Sequence, residues 1–161
     1  MVIHLPFLAA VLADALLWAG WSTSVGVMGT RWSNERVGRD GPLTTLRAFE
    51  SGGGLYRRLG IRHWKRWLPD AGGFAGGRRK SLDRRLDPAG WMALAGETRR
   101  AERVHWLITL ALPVTAVWTQ GVLLASMVTY AIVANGPCIA AQRYNRLRLA
   151  ALGDRADRRG R

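Results

Sequence analysis

Apolar residues gather in two blocks, roughly 2–29 and 104–141, and the stretches between and after them are basic. Val2 to Gly20 is mostly apolar and holds a single acid, Asp14. About 19 helical residues, each rising about 1.5 Å, reach the ~30 Å of a bilayer's hydrocarbon core. The pattern therefore predicts a transmembrane helix over 2–22. The first Lys or Arg is Arg31, so the basic start of a cleaved signal peptide is lacking. Val104 to Ala141 contains no Lys, Arg, Asp or Glu. That run suits two crossings better than one. Thr119-Gln120-Gly121 is the natural hairpin point, with spans expected over 104–118 and 121–141. The first is short and holds Pro113, which kinks a helix. It either starts earlier or forms a re-entrant hairpin. The predicted fold is an all-α integral membrane protein, one membrane domain with about three transmembrane helices. A basic cytoplasmic loop over 31–103 carries amphipathic or interfacial helices, and a basic tail over 149–161 is expected to be disordered.

Charge orients this arrangement. Residues 1–30 carry no Lys or Arg, residues 31–103 carry seventeen against eight acids, and residues 143–161 carry seven against two. Basic segments stay cytoplasmic. The N-terminus is then outside, the loop and C-terminus inside, in a multi-pass protein of the bacterial cell (inner) membrane. The net charge of +13 also fits attraction to anionic lipid, so nucleic acid is not expected as a partner. Within the loop, Arg57 to Lys65 alternates basic and apolar residues, as an interfacial helix does, with Trp64 and Trp67 at headgroup level. Further on, four glycines between Gly72 and Gly77 precede Arg78, Arg79 and Lys80. That run is either a phosphate cradle or a plain flexible turn.

The chemistry-bearing residues lie where basic regions meet apolar blocks. Glu102 and His105 are three apart and share a helical face, a spacing suited to a general base with an orienting carboxylate. The same residues also suit an interfacial His beside Trp106, with Glu102 paired to Arg99 or Arg103. Asp14, at mid-depth in the first block, needs a polar partner or a proton, and Gln120 and Asn135 are candidates. Cys138 is the one cysteine, so no intrachain disulfide forms, and it suits a small packing residue better than a nucleophile. His4, His63 and His105 have no ligand-like spacing, and no metal site is expected. The last apolar block closes on Asn135, Gln142, Arg143, Tyr144, Asn145 and Arg146, more polar groups than anchoring at a headgroup layer needs.

Several of these strings fall together in one resemblance. Glu50–Tyr56, Arg57–Asp70, Phe74–Lys80, Glu97–Trp106, Asn135-Gly-Pro-Cys-Ile139 and Gln142-Arg-Tyr-Asn-Arg146 resemble the glycosyl-4,4'-diaponeurosporenoate acyltransferase family, over roughly 50–148. The resemblance implies a small integral membrane O-acyltransferase of bacterial carotenoid biosynthesis. Such an enzyme transfers a fatty acyl chain to a sugar hydroxyl of a glycosylated carotenoid or related glycolipid. No bound cofactor is expected; acyl-CoA or acyl-carrier protein is the expected donor. In that chemistry His105 takes the acceptor proton, Glu102 orients it, and Asn135 donates to the oxyanion. Gln142, Arg143, Tyr144, Asn145 and Arg146 hold phosphate or sugar groups, and Arg78, Arg79 and Lys80 steer the anionic donor. Membrane lipids, the lipidic glycoside and the donor are the expected partners; the sequence specifies no oligomeric state. Two other classes compete: a non-catalytic scaffold of a lipid or pigment biosynthetic complex, and another small lipid-modifying enzyme such as a methyltransferase.

Overall fold

The computed structural model describes residues 3–68 and 88–159. The described residues form helices and turns, with no strand among them. The Gly-rich run and Arg78, Arg79 and Lys80 lie outside the described residues.

The first apolar block forms α1, Phe7–Thr30. It starts later than the expected 2–22 because Pro6 occupies the N-cap, and it continues to Thr30 because neither proline nor a charged residue falls between Ala15 and Thr30. The last block forms α7, Gly121–Arg159, a single helix that runs through Pro137 and on through the tail. The tail expected to be disordered from 149 is thus helical to Arg159; its Leu, Ala and Arg are good helix formers, and no proline follows Pro137. These two helices are long and apolar enough to cross a membrane. Their outward faces expose Phe7, Leu8, Leu12, Leu16, Val122, Ile132 and Val133. Apolar faces of this extent fit membrane association.

The segment expected to form a single span over 104–118 is broken. α5 runs over Pro88–Thr109, and α6, Ala111–Thr115, follows after a turn at Leu110. Pro113 has no N–H to give the Thr109 carbonyl, which ends α5 there. The segment nevertheless runs the length of α1. Arg100 Nη1 donates to the carbonyls of Gly29 and Thr30 at 2.9 and 3.1 Å, closing the C-terminal end of α1. Trp21 Nε1 donates to the Leu107 carbonyl at 2.9 Å. At the far end the Ile3 N–H bonds the Val117 carbonyl, also at 2.9 Å. The two helices approach closely at Gly29, where a Cβ would meet Val104 Cγ2 at 2.5 Å. Asp14, 2% exposed, accepts from Trp118 Nε1 and Thr119 Oγ1 at 2.9 and 2.8 Å, so its partners are these residues rather than Gln120 or Asn135. Trp18, Ala111 and Ala131 form the core that ties α1, α6 and α7 together.

Up to residue 68 the basic loop is short helices packed on α5 and α7 rather than one amphipathic helix over 57–65. α2 spans Asn34–Gly38, a 3-10 turn spans Ala48–Gly53, and α3 and α4 span Gly54–Arg58 and Ile61–Trp64. Gly60, at φ 61, separates α3 from α4. Tyr56 and Ile61 are buried against Tyr144, and Arg57, Arg58 and Arg62 stay exposed.

Candidate active site between α5 and α7

Glu102 and His105 on α5 face the stripe Asn135, Ile139, Gln142, Arg146 and Leu149 on α7, which recurs every three or four residues and is buried. His105 Nδ1 lies 3.0 Å from Asn135 Oδ1. Asn135 Nδ2 donates to the Ala131 carbonyl at 3.1 Å, which fixes which end of the amide is nitrogen. Nδ1 must therefore carry the proton, and Nε2 holds the lone pair of neutral His105. The orienting partner of His105 in this contact is Asn135, not the expected Glu102. Asn135 lies seven residues before Gln142, about 10 Å along the helix.

Glu102 is instead committed to arginine. It is fully buried; Oε1 accepts from Arg143 Nη1 at 2.6 Å and Oε2 from Arg146 Nη2. Two cations outbid a neutral imidazole for a buried carboxylate. Arg99 and Arg103, the local alternatives, point elsewhere: Arg99 pairs with Asp40 at 2.6 Å, and Arg103 donates to the carbonyls of Arg36 and Arg39. Arg143 also grips Glu50 in a fork, Nε to Oε1 at 2.7 Å and Nη2 to Oε2 at 2.6 Å. It donates further to the carbonyls of Leu43 and Thr45, at 3.0 and 2.9 Å. All five N–H groups of Arg143 thus have protein acceptors, leaving none for a substrate. Arg146 donates to the Thr44 carbonyl at 2.6 Å and reaches Asp40 at 3.4 Å.

The electrostatics follow from this packing. Burial would raise the Glu50 carboxyl, but hydrogen bonds from Arg143, Tyr56 and the Arg47 N–H outweigh it and hold it at about 2. Burial and the Glu50 carboxylate push the Tyr56 hydroxyl upward. Burial also raises the Glu102 carboxyl, against the pull of Arg146 and Arg143.

The remaining residues of the motif are also engaged. Tyr144 is buried against Tyr56 and Ile61, and Asn145 Oδ1 accepts from Lys65 Nζ at 2.9 Å. The Lys65 ammonium also sits 5.2 Å from the centre of the Tyr144 ring. Burial, then Arg148 and Arg62, lowers Lys65. Two atoms of the motif stand apart: Gln142 Oε1 and Arg146 Nε are buried without a hydrogen-bond partner among the described residues. One turn apart, they share a face. Cys138 is half-buried, and no three His, Cys, Asp or Glu side chains gather to hold a metal among the described residues. Glu50, Tyr56, Asp40 and Lys65 enter the cluster without having been expected there. Glu50 and Asp40 are two of the few acids in a strongly basic loop, a signal that buried arginines await them.

Comparison with known proteins bears on what this arrangement serves. The family described as glycosyl-4,4'-diaponeurosporenoate acyltransferase matches residues 42–155. A protein of that name from Staphylococcus haemolyticus (strain JCSC1435) is 35% identical over 142 residues, 86% of this chain and 81% of the relative. No solved structure matches. The buried arginine motif and the His105–Asn135 pair both fall inside the matched region, and the chain belongs to the glycosyl-4,4'-diaponeurosporenoate acyltransferase family and is an acyltransferase.

Proposed function

We propose that this protein transfers a fatty acyl group to a sugar hydroxyl of a glycosylated carotenoid or related glycolipid, at the cytoplasmic face of the bacterial membrane. The observation that carries the site assignment is the His105–Asn135 contact, which leaves the basic lone pair of neutral His105 on Nε2. The acceptor hydroxyl gives its proton to Nε2 as its oxygen attacks the acyl carbonyl. The thioester C–S bond of acyl-CoA or acyl-carrier protein then breaks, and His105 returns the proton to the departing thiolate. Asn135 holds the ring, and in this reading its second amide N–H donates to the oxyanion, a role worth about 2.7–4 kcal/mol where one donor has been removed. Gln142 Oε1 and Arg146 Nε, the unpaired acceptor and donor, suit a sugar hydroxyl, which both gives and takes a hydrogen bond. Arg143, Tyr144 and Asn145 serve by docking the loop, and Glu102 by anchoring Arg143 and Arg146.

The proposed placement takes three crossings, α1, the broken α5–α6 segment alongside it, and α7, with the N-terminus outside; two of these, α1 and α7, are long and apolar enough to span. Val104, one residue before His105, lies against Gly29 at the cytoplasmic end of α1. The acyl chain then stays in lipid and the headgroups in water. The test supplies membranes with acyl-CoA and a glycosylated carotenoid. His105→Ala is expected to abolish ester formation at normal expression; full activity in that variant refutes the assignment.

A further inference from the structure

A second feature lies on the other side of α5. A cavity of about 410 Å3 is lined by Trp32, Arg36, Pro42, Leu43, Arg103 and Leu107. That volume falls within the range of about 300–1,000 Å3 typical of small-molecule sites. It sits just beyond the end of α1 at Thr30, where the apolar block meets the first basic residue, Arg31. Its Leu43–Thr44 wall is fixed from behind, because the carbonyls of those residues accept from Arg143 and Arg146. Arg103 is spent on the carbonyls of Arg36 and Arg39. The Arg36 guanidinium, exposed at the lining, has no hydrogen bond or ion pair among the described residues. The walls are apolar, the free charge is cationic, and the place is a membrane boundary.

We propose that this groove holds an anionic phospholipid, one acyl chain against Trp32, Pro42, Leu43 and Leu107 and the phosphate on Arg36. An acyl donor fits less well. Arg103 and Leu107 stand about 160° round the helix from His105, so α5 itself separates the groove from the proposed base. The site is therefore a lipid site distinct from the acyl-transfer centre, and its occupancy does not depend on which residue is the base.

The full chain, reconstituted in bilayer discs of equal parts phosphatidylcholine and phosphatidylglycerol and released from them, is analysed by native mass spectrometry. The wild type is expected to retain about one phosphatidylglycerol in preference to phosphatidylcholine. Arg36→Gln should lower that retention about fivefold, the worth of one basic residue against an anionic surface. Leu43→Trp should fill the groove and abolish retention, with acyl transfer from acyl-CoA within about twofold of wild type in both variants. Equal retention of the two lipids, or unchanged retention in Arg36→Gln, overturns the proposal. So does a Leu43→Trp protein of normal thermal stability that loses transfer or shows a raised KM for acyl-CoA, since the groove would then belong to the donor. Arg36 is exposed, so its variant tests the charge even where Leu43→Trp fails to fold.

Discussion

Two polar clusters lie between α5 and α7, and they are built on opposite terms. The cluster of Glu50, Glu102, Arg143 and Arg146 is dense and almost saturated: Arg143 alone places its five N–H groups on five protein acceptors. The His105–Asn135 pair is lean, an imidazole and an amide joined at 3.0 Å in a largely apolar stretch. The difference teaches that abundance of polar groups does not locate chemistry. A guanidinium surrounded by its own protein's carboxylates and carbonyls is a fastener, joining the basic loop to α7. An imidazole whose Nδ1–H is given to an amide oxygen carries its basic lone pair on Nε2, the arrangement a general base uses.

Breaking the dense cluster should have the largest effect on stability. Arg143→Ala strands the buried Glu50 carboxylate and leaves Glu102 with Arg146 alone, and a stranded buried charge costs about 3–5 kcal/mol. Thermal unfolding in detergent should show that loss together with loose, protease-sensitive packing of residues 43–67. A midpoint within a degree or two of wild type would turn the fastener into a dispensable ornament.

Acid should sharpen the same comparison. The Glu50 carboxyl is depressed from 4.5 to about 2, so its stabilisation is complete above about pH 4.5 and fades as pH falls toward 2. The magnitude is on the order of 3 kcal/mol. Glu50→Gln should flatten stability between those two pH values, measured as the unfolding midpoint against pH.

Smaller effects belong to the lean pair and its neighbours. Asn135→Ala should cut acyl transfer about 100- to 1,000-fold, since it removes both the orienting partner and the oxyanion donor, with the unfolding midpoint close to wild type. Gln142→Ala should do least, raising KM for the glycoside about tenfold with kcat nearly unchanged, the signature of lost uniform binding.

The two long apolar helices, α1 and the membrane-length part of α7, were legible from hydropathy, because a run of that length with at most one charge has few other fates. The break at Leu110 was announced by Pro113, though not its consequence that two helical pieces share the length of α1. The motif Gln142 to Arg146 was legible as a concentration of polarity and as a family resemblance. Its partners were not, because Glu50 is 93 residues from Arg143 and Glu102 is 41 residues away. Local spacing offers His105 only Glu102, three residues back, whereas its Nδ1 contact, Asn135, is 30 residues on. Spacing on one helix cannot report competition from arginines on another. The alternation over 57–65 misled in the same way: Gly60 at φ 61 turns the chain between two short helices.

The most direct measurement compares wild type with His105→Ala, following ester formation on a glycosylated carotenoid from acyl-CoA together with thermal unfolding on the same preparations. The account predicts a loss of transfer of about 10²- to 10⁴-fold, the contribution of a general base, with the unfolding midpoint unchanged. Transfer at the wild-type rate by a folded His105→Ala protein would contradict it.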